Sequence, residues 1–187
     1  PLPAVGAANV YRFAMAPSVM LDSLEQVYVT PIQRGVRVMG TPYLMDRGAL
    51  FLSSKRKPAV LNEKFSLGAT IDTLCLLVAG APKQQQPFAK ITLHREDGVD
   101  IDLEISGTPG EVLSCTSRGK PVPIQLAWKG ETRYWDTEER REQVQVYQLT
   151  WTNDNPWLPV NRMKATLLDP EAEFVIMGIT GSRNTNP

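Results

Sequence analysis

The sequence predicts an all-β fold, a single antiparallel β-sandwich, on three observations. Short apolar runs recur along the chain and are broken by 15 prolines and 13 glycines, the residues that end strands and seed turns. Two segments alternate strictly. Val99, Ile101, Leu103 and Ile105 oppose Asp100, Asp102 and Glu104, and Met163, Ala165 and Leu167 oppose Arg162, Lys164 and Thr166. A period of two is that of a strand with one face in the core and the other in water. The segments able to form a helical turn, 14–24 and 137–143, are short.

Taken in order, residues 24–30 and 36–39 flank Pro31-Ile32-Gln33-Arg34-Gly35 and read as a first strand pair. Residues 49–53 are a third strand, followed by the basic loop Lys55-Arg56-Lys57-Pro58. Residues 65–67 make a short strand. Residues 71–79 are a near-continuous apolar run, the pattern of a strand buried on both faces. Residues 88–95 and 99–105 form a hairpin about Glu96-Asp97-Gly98, because Asp-Gly suits the tight turns that hairpins need. The stretch 106–118 is rich in Gly, Pro and Ser and reads as a connection. Strands at 122–128, 144–151, 161–168 and 174–180 complete the set, and the polar tail 181–187 is expected to fray. Residues 1–187 therefore make one domain, with no internal repeat and no interior linker. Residues 1–20 are an N-terminal extension or a first strand, and both options stay open. So does the choice between residues 1–60 completing the sandwich and packing on it.

Composition narrows the function. The chain has 187 residues, 42% of them hydrophobic, enough for one sizeable core. Its 20 basic and 20 acidic residues balance, whereas a nucleic-acid binder carries a clustered basic excess. No apolar run approaches the roughly 20 residues that span a bilayer, and Pro1-Leu2-Pro3-Ala4-Val5-Gly6 lacks the charged and apolar regions of a signal peptide. Of the two cysteines, Cys75 lies in an apolar run and reads as a buried thiol, although a Cys75–Cys115 bridge stays open.

Catalytic chemistry finds little to work with. The single histidine, His94, shares a strand face with Lys90 and Thr92 and reads as partly exposed. There is no G-x-S-x-G nucleophile motif, and nothing in the sequence pairs Cys115 with His94. Two carboxylates would suffice for glycoside hydrolysis, but Asp100, Asp102 and Glu104 read as a solvated face. Glu138, Glu139 and Glu142 read as a charged patch around Arg140 and Arg141. No catalytic residue and no cofactor are expected. A calcium site built from loop carboxylates, with Asp72, Asp97 and Asp100 as candidates, stays open.

The block Thr150-Trp151-Thr152-Asn153-Asp154-Asn155-Pro156-Trp157, followed by Val160-Asn161-Arg162-Met163 and closed by Phe174-Val175-Ile176-Met177-Gly178-Ile179-Thr180, resembles the last strands of galactose-binding-domain-like jelly rolls, including the modules related to NPCBM domains. There a Trp-x-Asn-Pro loop leads into the penultimate strand, and an apolar strand ending in a Gly/Ala-Ile-Thr-like triplet closes the sandwich. Residues 71–79, the strand 91–95 leading through Asp97-Gly98, and Leu126-Ala127-Trp128-Lys129-Gly130 are similar as well. The resemblance covers roughly the second two-thirds of the chain. The loop here, Asn153-Asp154-Asn155-Pro156, is one or two residues longer than the common form. The resemblance implies a jelly roll acting as an accessory module in large, exported, multidomain bacterial proteins, outside the cell or in the periplasm. It implies a glycan or polysaccharide, and other domains of a parent protein, as partners.

Sugar recognition uses flat aromatic faces and polar groups that bond hydroxyls. Loop aromatics are therefore the candidates: Tyr134 and Trp135, flanked by Arg133 and Asp136, and Trp157. For each ring the competing reading is a lid folded back on the core. Trp128 and Trp151, on strands, read as core residues. The alternative function is a structural or protein-docking sandwich without a small ligand, its contacts carried by edge strands and apolar patches.

Overall fold

A computed structural model describes residues 9–12, 37–43, 49–55, 62–84, 86–108, 112–133 and 141–183. The strand expected at 24–30, the helical turn expected at 14–24 and the loop residues Tyr134, Trp135 and Asp136 lie outside the described residues. The described part contains strands and no helix, arranged as two antiparallel six-stranded sheets and one small hairpin. It is the expected β-sandwich.

The first sheet runs β1 (Asn9–Arg12), β14 (Glu173–Arg183), β6 (Thr73–Ala81), β12 (Arg141–Thr152) and β11 (Ile124–Arg133), with β4 (Leu50–Ser53) also paired to β14. The second runs β10 (Lys120–Pro121), β9 (Ser114–Ser117), β8 (Asp100–Gly107), β7 (Gln86–Arg95), β13 (Val160–Leu167) and β5 (Asn62–Ala69). β2 (Arg37–Val38) and β3 (Thr41–Pro42) make the hairpin.

The alternating strands behave as their pattern requires. Ile101, Leu103 and Ile105 of β8 and Met163, Ala165 and Leu167 of β13 are buried in one cluster with Leu74, Leu76 and Val78 of β6 and Tyr147, Leu149 and Trp151 of β12. Burying each such side chain contributes about 1.5–3 kcal/mol, and this layer between the sheets is the main core. Phe88 and Phe174 meet there edge to face, ring centroids 6.1 Å apart.

The apolar run of β6 is buried on both faces, as expected. Cys75, Leu77 and Ala79 point away from the main core into a second cluster with Tyr43, Phe51, Val175 and Met177. Tyr43, just after β3, is fully buried, and its hydroxyl donates to Gln148 Oε1 at 3.0 Å. The early part of the chain thus does two things. β1 and β4 extend the first sheet, and Val38, Tyr43, Ala49 and Phe51 supply a cover for its outer face.

Several boundaries differ from the sequence reading. Residues 114–117, expected to be loop, form β9, because Cys115 is buried in the main core and β8 offers an open edge. Residues 141–143, expected to turn helically, belong to β12, where pairing with β11 overrides the helix propensity of Arg and Glu. Residues 181–183, expected to fray, are strand, held by β1 on one side and β6 on the other. Cys75 and Cys115 are both free and buried, in separate clusters.

Candidate functional site

One end of the sandwich gathers the connections 70–72, 96–99 and 153–159 and the last residues of β14, with the β9–β10 turn beside it. The loop 153–159 between β12 and β13 is the longest described connection there, and it is tied down at both ends. Asn153 is buried; its Nδ2 donates to the Ile71 carbonyl at 2.9 Å, and its backbone N–H donates to the Asp72 carbonyl at 2.7 Å. Its Oδ1 accepts the Asn155 N–H at 3.1 Å, the short Asn-to-backbone turn that lets the chain leave β12 sharply. At the far side the Pro159 carbonyl accepts from the Glu96 N–H at 2.9 Å.

Arg95 clamps the middle. Its Nη1 donates to Asp154 Oδ1 at 2.5 Å, its Nη2 to Asp97 Oδ2 at 2.7 Å and its Nε to Asp97 Oδ1 at 3.2 Å. The planar guanidinium suits this two-pronged hold on a carboxylate. Hydrogen bonding from Arg95, helped by the Val99 N–H, holds the Asp97 carboxyl below its ordinary value, and Asp97 in turn raises Arg95.

The anchored loop carries Trp157 outward. Its ring is 73% exposed, and the Arg183 guanidinium lies 5.8 Å from its centroid, within cation–π range. Arg183 is itself fixed by a bond from Nη1 to Thr70 Oγ1 at 2.5 Å. The ring is therefore supported from one side by an arginine and open on the other. It is not a lid on the core.

Beside the loop is a cleft of about 320 Å³. It lies where the chain crosses from the second sheet to the first through Val122 and Pro123, so that β9–β10 and the end of β12 form its walls. Ile101, Val122, Pro123 and the buried Trp151 give it an apolar lining, and Ser117, Thr150, Thr152, Arg118, Lys120 and Asp154 give it polar groups. β11 leaves this stretch of β12 uncovered. The β11–β12 register ends at Ile124 opposite Leu149, with one more bond from the Thr150 N–H to the Pro123 carbonyl at 2.8 Å. Arg118 and Gly119 form the two-residue turn of the β9–β10 hairpin with φ of +49° and +74°, the left-handed pair that matches strand twist.

The sequence candidates divide accordingly. Trp157 stands at this end. The backbone of Arg133 stands at the other, because it pairs with Arg141, the first residue of the 12-residue β12. At roughly 3.3 Å per residue that is about 35 Å from Thr152. Arg133 and Trp157 are not parts of one binding surface, and Tyr134, Trp135 and Asp136 lie outside the described residues. Trp151 is buried in the main core, and Trp128 is half-buried against the outer cluster.

Asp100 and Asp102 have partners on the outer face of the second sheet. His94 Nδ1 lies 2.6 Å from Asp100 Oδ1, and Asp102 accepts from Thr92 at 2.6 Å and from Lys90 at 3.2 Å. Of the calcium candidates, Asp97 is engaged by Arg95 and Asp100 by His94. Among the described residues, no three His, Cys, Asp or Glu side chains cluster closely enough to hold a metal. No described helix is long and apolar enough to cross a membrane.

Sequence reasoning found the exposed tryptophan but missed Arg95, Asn153, Arg183 and the cleft. Asn153 within Trp-x-Asn was a usable signal; the others join residues far apart in the chain. No family model, no curated protein and no solved structure matches the chain significantly.

Proposed function

We propose that the chain is a non-catalytic accessory module that binds carbohydrate within a larger protein, and that the loop 153–159 is its contact surface. The observation that carries this reading is Trp157, an aromatic ring 73% exposed on a loop held by Asn153 and Arg95. An open indole on a rigid support suits the apolar face of a pyranose, and holding it in place beforehand lowers the cost of ordering it on binding. The side chains of Asp154 and Asn155 stand within the same loop to meet hydroxyls.

The strand order supports the fold expected from the resemblance. β4-β14-β6-β12 in one sheet and β5-β13-β7-β8 in the other interleave early and late strands, as two nested Greek keys would. The non-catalytic reading is supported by the state of the Cys115 thiol. Burial, reinforced by the charge of Glu104, pushes it up to about 12, away from the thiolate a nucleophile needs.

A polysaccharide pull-down comparing wild type with Trp157→Ala tests the reading. Loss of the ring is expected to cost about 2 kcal/mol, roughly thirtyfold in affinity, with the thermal midpoint unchanged. A second reading, docking of a protein partner, is favoured by β11. This is a 10-residue strand paired by β12 on one side and by no described strand on the other, with Leu126 45% exposed. Under that reading Leu126→Lys abolishes association and Trp157→Ala does not.

A further inference from the structure

The cleft beside the Trp157 loop carries a charge that the loop alone does not explain. Arg118 and Lys120 both line it, and both are exposed. Among the described residues neither side chain has a hydrogen bond or an ion pair. The acid on its rim, Asp154, is already held by Arg95 at 2.5 Å, so the two cations are not answered from within the site. Behind them lie apolar Ile101, Val122 and Trp151, with Ser117 beside them. A floor of apolar atoms and two uncompensated cations match a sugar ring bearing an anionic substituent.

The backbone adds a second observation. Arg118 sits at φ +49°, a conformation that costs a non-glycine residue about 1 kcal/mol or more and that Asn or Gly adopts readily. An arginine is thus held where a turn alone calls for a smaller residue, and it lines the cleft. The size is compatible, since 320 Å³ is at the lower end of small-molecule sites, about 300–1,000 Å³. It is open enough for one ring of a longer chain.

We infer that this cleft is a subsite for an acidic saccharide, with Arg118 and Lys120 bonding the carboxylate or sulfate of a ring that lies on Ile101 and Val122. The inference rests on the carbohydrate-binding reading and adds the class of sugar. It predicts that binding falls as salt rises, because exposed charge pairs are screened.

The test is isothermal titration of the whole chain with four polysaccharides, polygalacturonate, its fully methyl-esterified form, dextran sulfate and dextran, and with polyglutamate as a polyanion that is not a saccharide. The two pairs share backbones and differ in charge, and they separate a carboxylate from a sulfate as the preferred anion. The proteins are wild type, Trp157→Ala, and the double variant Arg118→Asn, Lys120→Gln, in which Asn keeps the left-handed turn. Saturable binding to an acidic polymer, at least about tenfold weaker to its neutral counterpart and at least about tenfold weaker in the double variant, is the result expected. Equal binding of neutral and acidic polymers overturns the acidic subsite while the carbohydrate reading stands. Binding that survives the double variant overturns it as well. No binding to any of the four, with none on a broader glycan panel, removes both. Equal binding of polyglutamate shows a general anion site and overturns the saccharide assignment.

Discussion

Gly178 and Tyr43 show how closely the outer cover of the first sheet is fitted at the level of single residues. A Cβ at position 178 would lie 2.7 Å from Tyr43 Cδ1, and the β14 bulge falls at the same place. Gly178→Ala is therefore expected to destabilise the protein by about 1–3 kcal/mol through overpacking, read by urea unfolding. Burial, reinforced by Cys75, raises the Tyr43 hydroxyl above its ordinary value, so the group stays protonated and keeps donating to Gln148. Arg118 is the opposite case. Arg118→Asn relieves a left-handed arginine and is expected to gain roughly 0.5–1 kcal/mol while weakening the anion subsite. A stability gain paired with a binding loss is what a residue kept for function produces.

Among the elements, the loop 153–159 depends on two anchors with different pH behaviour. Asn153→Ala removes the bond to the Ile71 carbonyl and the turn to Asn155, at about 1–3 kcal/mol because a buried carbonyl loses its donor. The Arg95–Asp97 anchor is acid-sensitive. The folded Asp97 lies below its ordinary value of 3.8, so its contribution is present above that pH and is lost as pH falls through the lower folded value. Wild type should lose more stability below about pH 4 than Asp97→Asn does, and parallel slopes for the two proteins would contradict the clamp.

How far these elements were legible depends on the signal each carries. β8 and β13 follow from strict alternation, β6 from an unbroken apolar run, and the β7–β8 turn from Asp-Gly, all local features. β9 was not legible, since Ser114–Ser117 offers one apolar residue, Cys115, and its pairing with β8 is a matter of tertiary position. The same holds for the site. Trp157 could be picked out as a loop aromatic, but the Arg95 clamp joins residues 59 apart and the Asn153 anchor joins residues 82 apart. The cleft needs three chain segments brought together, which no spacing announces.

In the whole molecule, two sheets share a core and the first is covered again on its outer face, so both cysteines are shielded without being joined. With the Cys115 thiol pushed up to about 12, neither thiol should react with an aromatic disulfide reagent at pH 8 until denaturant is added. Two equivalents should then appear. Fast reaction of the native protein would contradict the burial described here. The two ends of the sandwich are about 35 Å apart along β12.

The most direct test of the central claim is a glycan array probed with wild type and Trp157→Ala, each checked by near-ultraviolet circular dichroism for intact packing. The account predicts saturable wild-type binding to at least one glycan, strongest among the acidic ones, and its loss in the variant. Wild-type binding left unchanged by Trp157→Ala, or no binding across the array, would contradict it and leave β11 docking as the function to pursue.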